Sequence, residues 1–146
     1  MSVRRLVGIL VTVSVAIQFV PVTRTNPPVE QDIRVPPAVR AILERSCYDC
    51  HSHRTRWPWY SRIAPVSWLV ARDVREGRRH LNFSTWNRLS DEQARKARAE
   101  IAEEAGEGGM PPWFYLPLHP DARLSAEDRA VLARWVGPGG DHEDMD

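Results

Sequence analysis

Cysteine is scarce in this 146-residue sequence, and Cys47 and Cys50 are the only two. Two cysteines cannot form the framework of several disulfides that stabilises many small secreted domains. They could supply only half of the four ligands of a structural zinc site, and no zinc-finger spacing of histidines follows them. A single disulfide remains an alternative. A redox-active dithiol is another, although that motif is expected in a βαβ setting.

Lysine is almost absent as well, because Lys96 is the only one and arginine supplies the other positive charges. The net charge of +1 conceals an uneven distribution. Residues 54–98 contain eleven Arg or Lys against four acidic residues, a net charge of +7, whereas residues 99–146 contain three against eleven, a net charge of −8. The basic middle could face anionic lipid or an acidic redox partner, or be an ordinary solvated surface. Nucleic acid is not expected as a partner, because no known binding module accompanies the basic residues.

The sequence also lacks strand-type alternation of apolar and polar residues, and it contains no internal repeat. It therefore predicts an all-α domain. Helices are expected over about residues 37–51, 65–77, 91–105 and 125–137. Pro37 and Pro65 suit first helical turns, Ser90 with Gln93 forms a capping-box pattern, and Gly77 is expected to end the second helix.

One long apolar run precedes this domain, from Leu6 to Val22, and it follows Arg4 and Arg5. Its 17 residues are at the short end of what spans a bilayer. A cleaved signal peptide and an uncleaved anchor both fit, but the bulky residues at the end of the run favour the anchor. We therefore predict a transmembrane helix within residues 1–22 and a single-pass protein whose remaining residues lie outside the cytoplasmic membrane. A Pro-rich tether (23–36), the folded domain (37–137) and a disordered acidic tail (138–146) would follow.

The most specific motif is Cys47-Tyr48-Asp49-Cys50-His51. This C-x-x-C-H spacing is the attachment signature of c-type haem. On a helix, residues three and four apart lie on one face. Two thiols placed there can bond to the two vinyl groups of one porphyrin, and the imidazole can bind its iron. The motif therefore predicts one covalently attached haem, with His51 as an axial iron ligand.

Met110 is the best candidate for the second axial ligand. It is the only methionine within the predicted folded domain, and it lies in a Gly-Gly-Met-Pro-Pro loop. A thioether ligand raises the reduction potential, which suits electron transfer. The alternative is that Met110 packs against aromatic rings such as Trp113. Among the histidines, His80 is the strongest rival ligand, ahead of His119 and His53.

Tryptophan and arginine supply the remaining candidates for the haem site. Six tryptophans are many for this length, and Trp57, Trp59 and Trp113 are predicted to line the haem pocket, where they would exclude water. Arg54, Arg56 and Arg62 could pair with the haem propionates.

The sequence resembles the haem-binding domain family of small bacterial single-haem c-type proteins, some of which carry an N-terminal anchor. The resemblance covers about residues 35–136. It rests on residues 46–52, on Thr55 to Tyr60, on Ile63 to Trp68, on Gly77-Arg78 with Asn82-Phe83-Ser84, on Met110-Pro111, on Tyr115 with Leu118-His119-Pro120, and on Leu124-Ser125.

This resemblance implies a cytochrome c-like arrangement, with the first and last helices of the domain crossing near the haem. It also implies haem attachment at Cys47, Cys50 and His51, and it supports Met110 as the distal ligand. The expected function is one-electron transfer on the periplasmic side of the bacterial cytoplasmic membrane, with an unidentified redox protein as partner. The alternatives are a small-ligand sensor or peroxidase-like accessory with an open or displaceable sixth ligand, and a haem-free interaction domain held by a Cys47–Cys50 disulfide.

Overall fold

A computed structural model describes residues 2–137, and their secondary structure is helical apart from an isolated bridge between Gln31 and Thr85. The α-helices in this range are α1 (Val3–Ala16), α2 (Pro37–Ser46), α3 (Tyr48–His51), α4 (Val66–His80), α5 (Asp91–Glu107) and α6 (Ala126–Trp135). Short 3₁₀ turns occur at Ile17–Phe19, Trp59–Arg62, Trp86–Arg88 and Pro120–Ala122. The all-α prediction is confirmed. The predicted tail at 138–146 lies outside the described residues.

The N-terminal apolar run forms a shorter helix than the sequence predicts. Helix α1 has 14 residues, which at 1.5 Å per residue is about 21 Å, whereas the hydrocarbon core of a bilayer is roughly 30 Å thick. A 3₁₀ turn follows, in which Gln18 exchanges two hydrogen bonds with the backbone of Ala64 (3.0 and 3.1 Å). Across residues 2–137, no helix combines the length and the apolar character needed to cross a membrane. The predictions of a transmembrane helix and of single-pass membrane anchoring are therefore wrong.

The segment between α1 and α2 is extended and lies along the domain. Arg24 donates to the carbonyl of Ser61 (2.9 Å), and the Asn26 amide donates to that of Thr55 (2.9 Å). Farther along, Ile33 is completely buried in the core. These contacts place residues 24–33 beside the loop that follows the cysteine motif.

Local sequence signals explain most of the helix ends. Helix α5 begins with the predicted capping box, in which Ser90 Oγ accepts from the Gln93 amide (3.3 Å) and the Gln93 side chain accepts from the Ser90 amide (2.9 Å). Its last residue is Glu107, and it is capped by Gly108, whose φ of 77° suits glycine. Helix α4 continues through Gly77 to His80, three residues beyond the predicted end.

The core joins α2, α5 and α6 to the segments at residues 33 and 83. Helices α2 and α6, the first and last of the domain, pack against each other. The buried core residues are Ile33, Val39, Ile42, Leu43, Tyr48, Phe83, Ile101, Ala105, Leu124, Leu132 and Trp135.

Asp128 links the start of α6 to α2. Its Oδ2 accepts from the Ser125 amide (2.8 Å), the Ser125 hydroxyl (2.8 Å) and the Arg45 guanidinium (2.5 Å). Burial acts to raise the pKa of the Asp128 carboxyl, but these hydrogen bonds outweigh it and hold the pKa below its ordinary value. Asp128→Ala should therefore destabilise the fold by about 1–3 kcal/mol in denaturant titrations at pH 7.

The pH dependence of this contribution follows from the lowered pKa. Since folding favours the ionised carboxylate, the stabilisation is present above the ordinary aspartate pKa and is lost as the pH falls through the lower pKa of the folded state. Asp121→Ala is the matched control, because Arg45 contacts only the backbone carbonyl of Asp121 (3.0 Å) in this arrangement. Equal losses in the two variants at pH 7 would contradict the prediction.

Candidate functional site

The cysteine motif lies at a break between two helices. Helix α2 ends at Ser46, Cys47 has a φ of −126°, and α3 begins at the next residue. The amides of Cys50 and His51 both donate to the Cys47 carbonyl (3.2 and 2.9 Å), so the motif still makes one helical turn. Both cysteines are free thiols. The predicted continuous helix over 37–51 is thus interrupted at Cys47, while the three motif side chains stay within one turn.

Both thiols are in surroundings that favour the protonated form. Burial, reinforced by the neighbouring Cys50, raises the pKa of Cys47 to about 12. Burial, reinforced by Asp49 and Asp73, raises the pKa of Cys50 to about 11. Redox-active dithiols have lowered pKa values, because the thiolate is the reactive species. The surroundings therefore disfavour the dithiol alternative.

The His51 imidazole is oriented by the backbone of the segment after α4. Its Nδ1 lies 3.2 Å from the carbonyl oxygen of Leu81. A carbonyl can only accept, so Nδ1 carries the proton and Nε2 is the nitrogen with a free electron pair. Burial lowers the pKa of His51, and the nearby carbonyls of Leu81 and Gly77 oppose this only in part. A neutral imidazole held by an Nδ1–H bond to a carbonyl is the form in which histidine binds metals.

Aromatic ring contacts hold two residues of the motif, Tyr48 and His51. The Tyr48 ring stacks on Phe83 with ring centroids 4.9 Å apart, and Phe83 also meets the edge of the His51 ring at 6.3 Å. The Tyr48 hydroxyl donates to Asp32 (2.8 Å), a carboxylate that also pairs with Arg54 (3.1 Å). Arg54, a predicted propionate partner, is therefore already paired with a carboxylate of the chain.

Gly77 lets α4 approach the motif closely. A Cβ atom built at this position would lie 2.6 Å from the Cys50 carbonyl oxygen and 3.1 Å from Cys50 Cβ. Such distances are far below van der Waals contact, so only glycine fits without a shift of backbone. In the sequence, Gly77 predicts a helix end. The signal for its packing role was a glycine followed by three further residues of helical character.

The next residue, Arg78, connects α4 to two other segments near the motif. Its guanidinium donates four hydrogen bonds of 2.7–2.9 Å, to the oxygens of Ser52, Thr25, Asn26 and Thr55. It thereby joins the residue after His51 to the extended segment before α2. Sequence analysis did not single out Arg78 beyond the family resemblance, because its partners are 23 to 53 residues away.

Met110 lies on the loop between α5 and the 3₁₀ turn at Pro120–Ala122, and its side chain is 39% exposed. The amides of Gly109 and Met110 donate to the Glu104 carbonyl (3.0 and 3.3 Å), which fixes the start of this loop to the end of α5. The same loop reaches the cysteine motif through Tyr115, whose hydroxyl donates to Asp49 Oδ2 (3.0 Å). The loop that carries the predicted distal ligand thus contacts the motif.

The rival histidines differ in how their ring nitrogens are engaged. His53 lies 2.8 Å from the Pro28 carbonyl through Nδ1 and 2.9 Å from the Asn82 amide through Nε2, so neither nitrogen is available to a metal. His119 stacks flat on Tyr115, with centroids 3.9 Å apart. His80 is exposed at the last residue of α4.

The predicted pocket tryptophans occupy different environments. Trp57 is half-buried and its Nε1 donates to Asn26 (3.2 Å). Trp59 is 72% exposed and Trp113 81% exposed. Of the remaining predicted arginines, Arg62 is exposed, whereas Arg56 pairs with the Asp49 carboxylate (3.3 Å).

The donor set at the motif fits a haem. Two protonated thiols three residues apart, with a neutral imidazole on the same turn, match the two vinyl groups and the iron of one porphyrin. Apolar side chains stay exposed in segments that follow the motif, which provides surface for a large apolar ring. They are Trp59, Ile63, Val66, Trp68, Leu69, Met110, Trp113, Phe114 and Leu118.

The helical fold and this motif define a small all-α domain that holds haem. The comparison with known families agrees, since the chain matches the haem-binding domain family over residues 12–137. The chain therefore belongs to the haem-binding domain family. No curated protein and no solved structure matches it.

Proposed function

We propose that this protein binds one haem covalently through Cys47 and Cys50 and serves as a one-electron carrier. The observation that carries the proposal is the geometry of the motif. Both thiols are free within one helical turn, and the Nδ1–H bond to Leu81 directs the unprotonated Nε2 of His51 to a metal.

Haem attachment through these thiols requires no oxidant or reductant. Cys47 and Cys50 would each hold the haem through a carbon–sulfur bond, in which the thiol S–H has added across one vinyl double bond and its hydrogen has passed to the neighbouring vinyl carbon. When bound, the haem supplies an iron that cycles between the ferric and ferrous states.

The protein's own residues then fix the iron ligands and the surroundings. His51 would bind the iron through Nε2, and Phe83 and Leu81 limit the rotation of its ring. Met110 is proposed for the other position, because its loop is attached to the motif through Tyr115. The partner is proposed to be another redox protein.

The second candidate function is one in which a small ligand displaces Met110 from the iron. A haem with a displaceable sixth ligand would suit sensing of a diatomic gas or a reaction with peroxide.

Replacing Met110 by alanine distinguishes the two functions. The haem-loaded full chain, made in a host that attaches haem to C-x-x-C-H motifs, should give a low-spin spectrum that carbon monoxide does not change. Met110→Ala should become high-spin in the ferrous state and bind carbon monoxide, because the thioether is lost. Absorption spectra of the oxidised, reduced and gas-treated protein measure this.

His80→Ala is the matched control, because it removes the strongest rival ligand, and its spectrum should equal that of the parent. A parent that binds carbon monoxide would favour the sensor or peroxidase-like function. A spectrum that is unchanged in Met110→Ala but altered in His80→Ala would identify His80 as the sixth ligand.

A further inference from the structure

Asp49, one of the two residues between the cysteines, is bonded on several sides. Its side chain is 14% exposed. Oδ1 accepts from the Arg56 amide (2.9 Å) and from Arg56 Nε (3.3 Å), and Oδ2 accepts from the other end of the same guanidinium (3.3 Å). The Asp49 carbonyl also accepts from Thr55 (2.8 Å). The hydrogen bonds from Arg56 therefore already hold the carboxylate in one orientation.

A second segment also bonds to this carboxylate, namely the loop between α5 and the 3₁₀ turn at Pro120–Ala122, which carries Met110 (the Met110 loop). Tyr115, five residues after Met110, donates its hydroxyl to Asp49 Oδ2 (3.0 Å). The Tyr115 ring stacks on His119 at an interplanar angle of 5°, and the Tyr115 amide donates to the Pro112 carbonyl (3.0 Å). Tyr115 is thus fixed within its own loop, so the hydrogen bond from its hydroxyl fixes the position of the loop relative to the motif.

The hydrogen bond from Tyr115 joins this loop to a charged acceptor whose side chain is mostly buried. A hydrogen bond to a charged group is about twice as strong as one between neutral groups, so this contact should contribute substantially to holding the loop near the motif.

We propose that the Tyr115–Asp49 hydrogen bond is a latch that keeps Met110 on the haem iron and thereby closes the sixth coordination position. This inference rests on the proposed function, because it takes Met110 as the distal ligand. The proximal side is held by separate contacts, the His51–Leu81 hydrogen bond and the Phe83 ring. Breaking the latch therefore frees the distal side and leaves His51 bound. Tyr115 is a positioning residue that acts through Met110.

The test is Tyr115→Phe in the haem-loaded full chain, which removes one oxygen atom and keeps the stacked ring. Loss of a hydrogen bond to a carboxylate should raise the open population of the loop by about 10- to 100-fold. The apparent affinity of the ferrous haem for carbon monoxide rises by the same factor, because it scales with the fraction that can bind.

Tyr60→Phe is the matched control. The Tyr60 hydroxyl lies 3.4 Å from His119 Nε2, in the same aromatic cluster, and donates no hydrogen bond to Asp49. Carbon monoxide affinity should stay at the parental value in this variant. A second readout is the Met110→Ala background, where Tyr115→Phe should change affinity no further, since the ligand that the latch positions is gone.

Two results would overturn the latch: a Tyr115→Phe affinity equal to that of the parent, or an equal rise in Tyr60→Phe. Failure of the proposed function has a different signature, since Met110→Ala would then match the unsubstituted protein in its spectrum and its carbon monoxide binding, and no latch on Met110 would exist.

Discussion

A chain in which Cys47 and Cys50 are both replaced by serine should contain no covalently bound haem. Serine keeps the size of the side chain, but a hydroxyl does not add to a vinyl group as a thiol does, so no bond to the porphyrin can form. After denaturing electrophoresis, haem staining should be strong in the parent and absent in the double variant. Each single variant should retain haem through the one remaining thioether.

Met110→Ala is the control for this result, because it alters the proposed distal ligand and leaves both thiols in place. Its haem should survive denaturation in full. Haem that remains attached to the double serine variant would exclude the cysteines as attachment points. A colourless parent of normal stability would instead favour the haem-free alternative with a Cys47–Cys50 disulfide.

The double serine variant should also be less stable than the haem-loaded parent. A group bound only to the folded state stabilises that state. Thermal unfolding followed by far-ultraviolet circular dichroism would measure the difference.

Sequence reasoning succeeded where the signal is local. The helix starts at Pro37, Ser90 and Ser125 follow from residues within one turn of each start. The structure confirms the capping box predicted at Ser90 and shows a second one at Ser125. The C-x-x-C-H motif is likewise a five-residue pattern, and it led to the haem-binding family that the comparison shows.

It failed where the outcome depends on distant parts of the chain. The apolar run at residues 6–22 resembles an anchor by composition, but its helix ends at Ala16 and Gln18 bonds to Ala64, 46 residues away. The Tyr115–Asp49 contact spans 66 residues and has no periodic signature. Hydropathy and spacing describe single elements, whereas these contacts arise from how elements meet.

Gly77 shows the same limit within one helix, since composition alone reads a late helical glycine as an end signal. The helix nevertheless continues through Gly77 to His80. The closest neighbour of Gly77 is the backbone of Cys50, which a side chain at position 77 would displace. We expect Gly77→Ala to destabilise the protein by about 1–3 kcal/mol, the usual cost of inserting a methyl group into a packed contact. This should occur although alanine is the better helix former by about 1 kcal/mol.

The expected effect extends to haem attachment. The Cys50 carbonyl cannot move without moving the thiol and the adjacent His51, so the variant should incorporate markedly less haem per chain than the parent. Gly106→Ala separates packing from helix propensity. Gly106 also lies inside a helix, but a Cβ there would meet nothing within 4 Å. That variant should be as stable as the parent or more stable, with full haem content. If the two variants unfold at equal denaturant concentrations, the close approach of α4 to Cys50 does not constrain position 77.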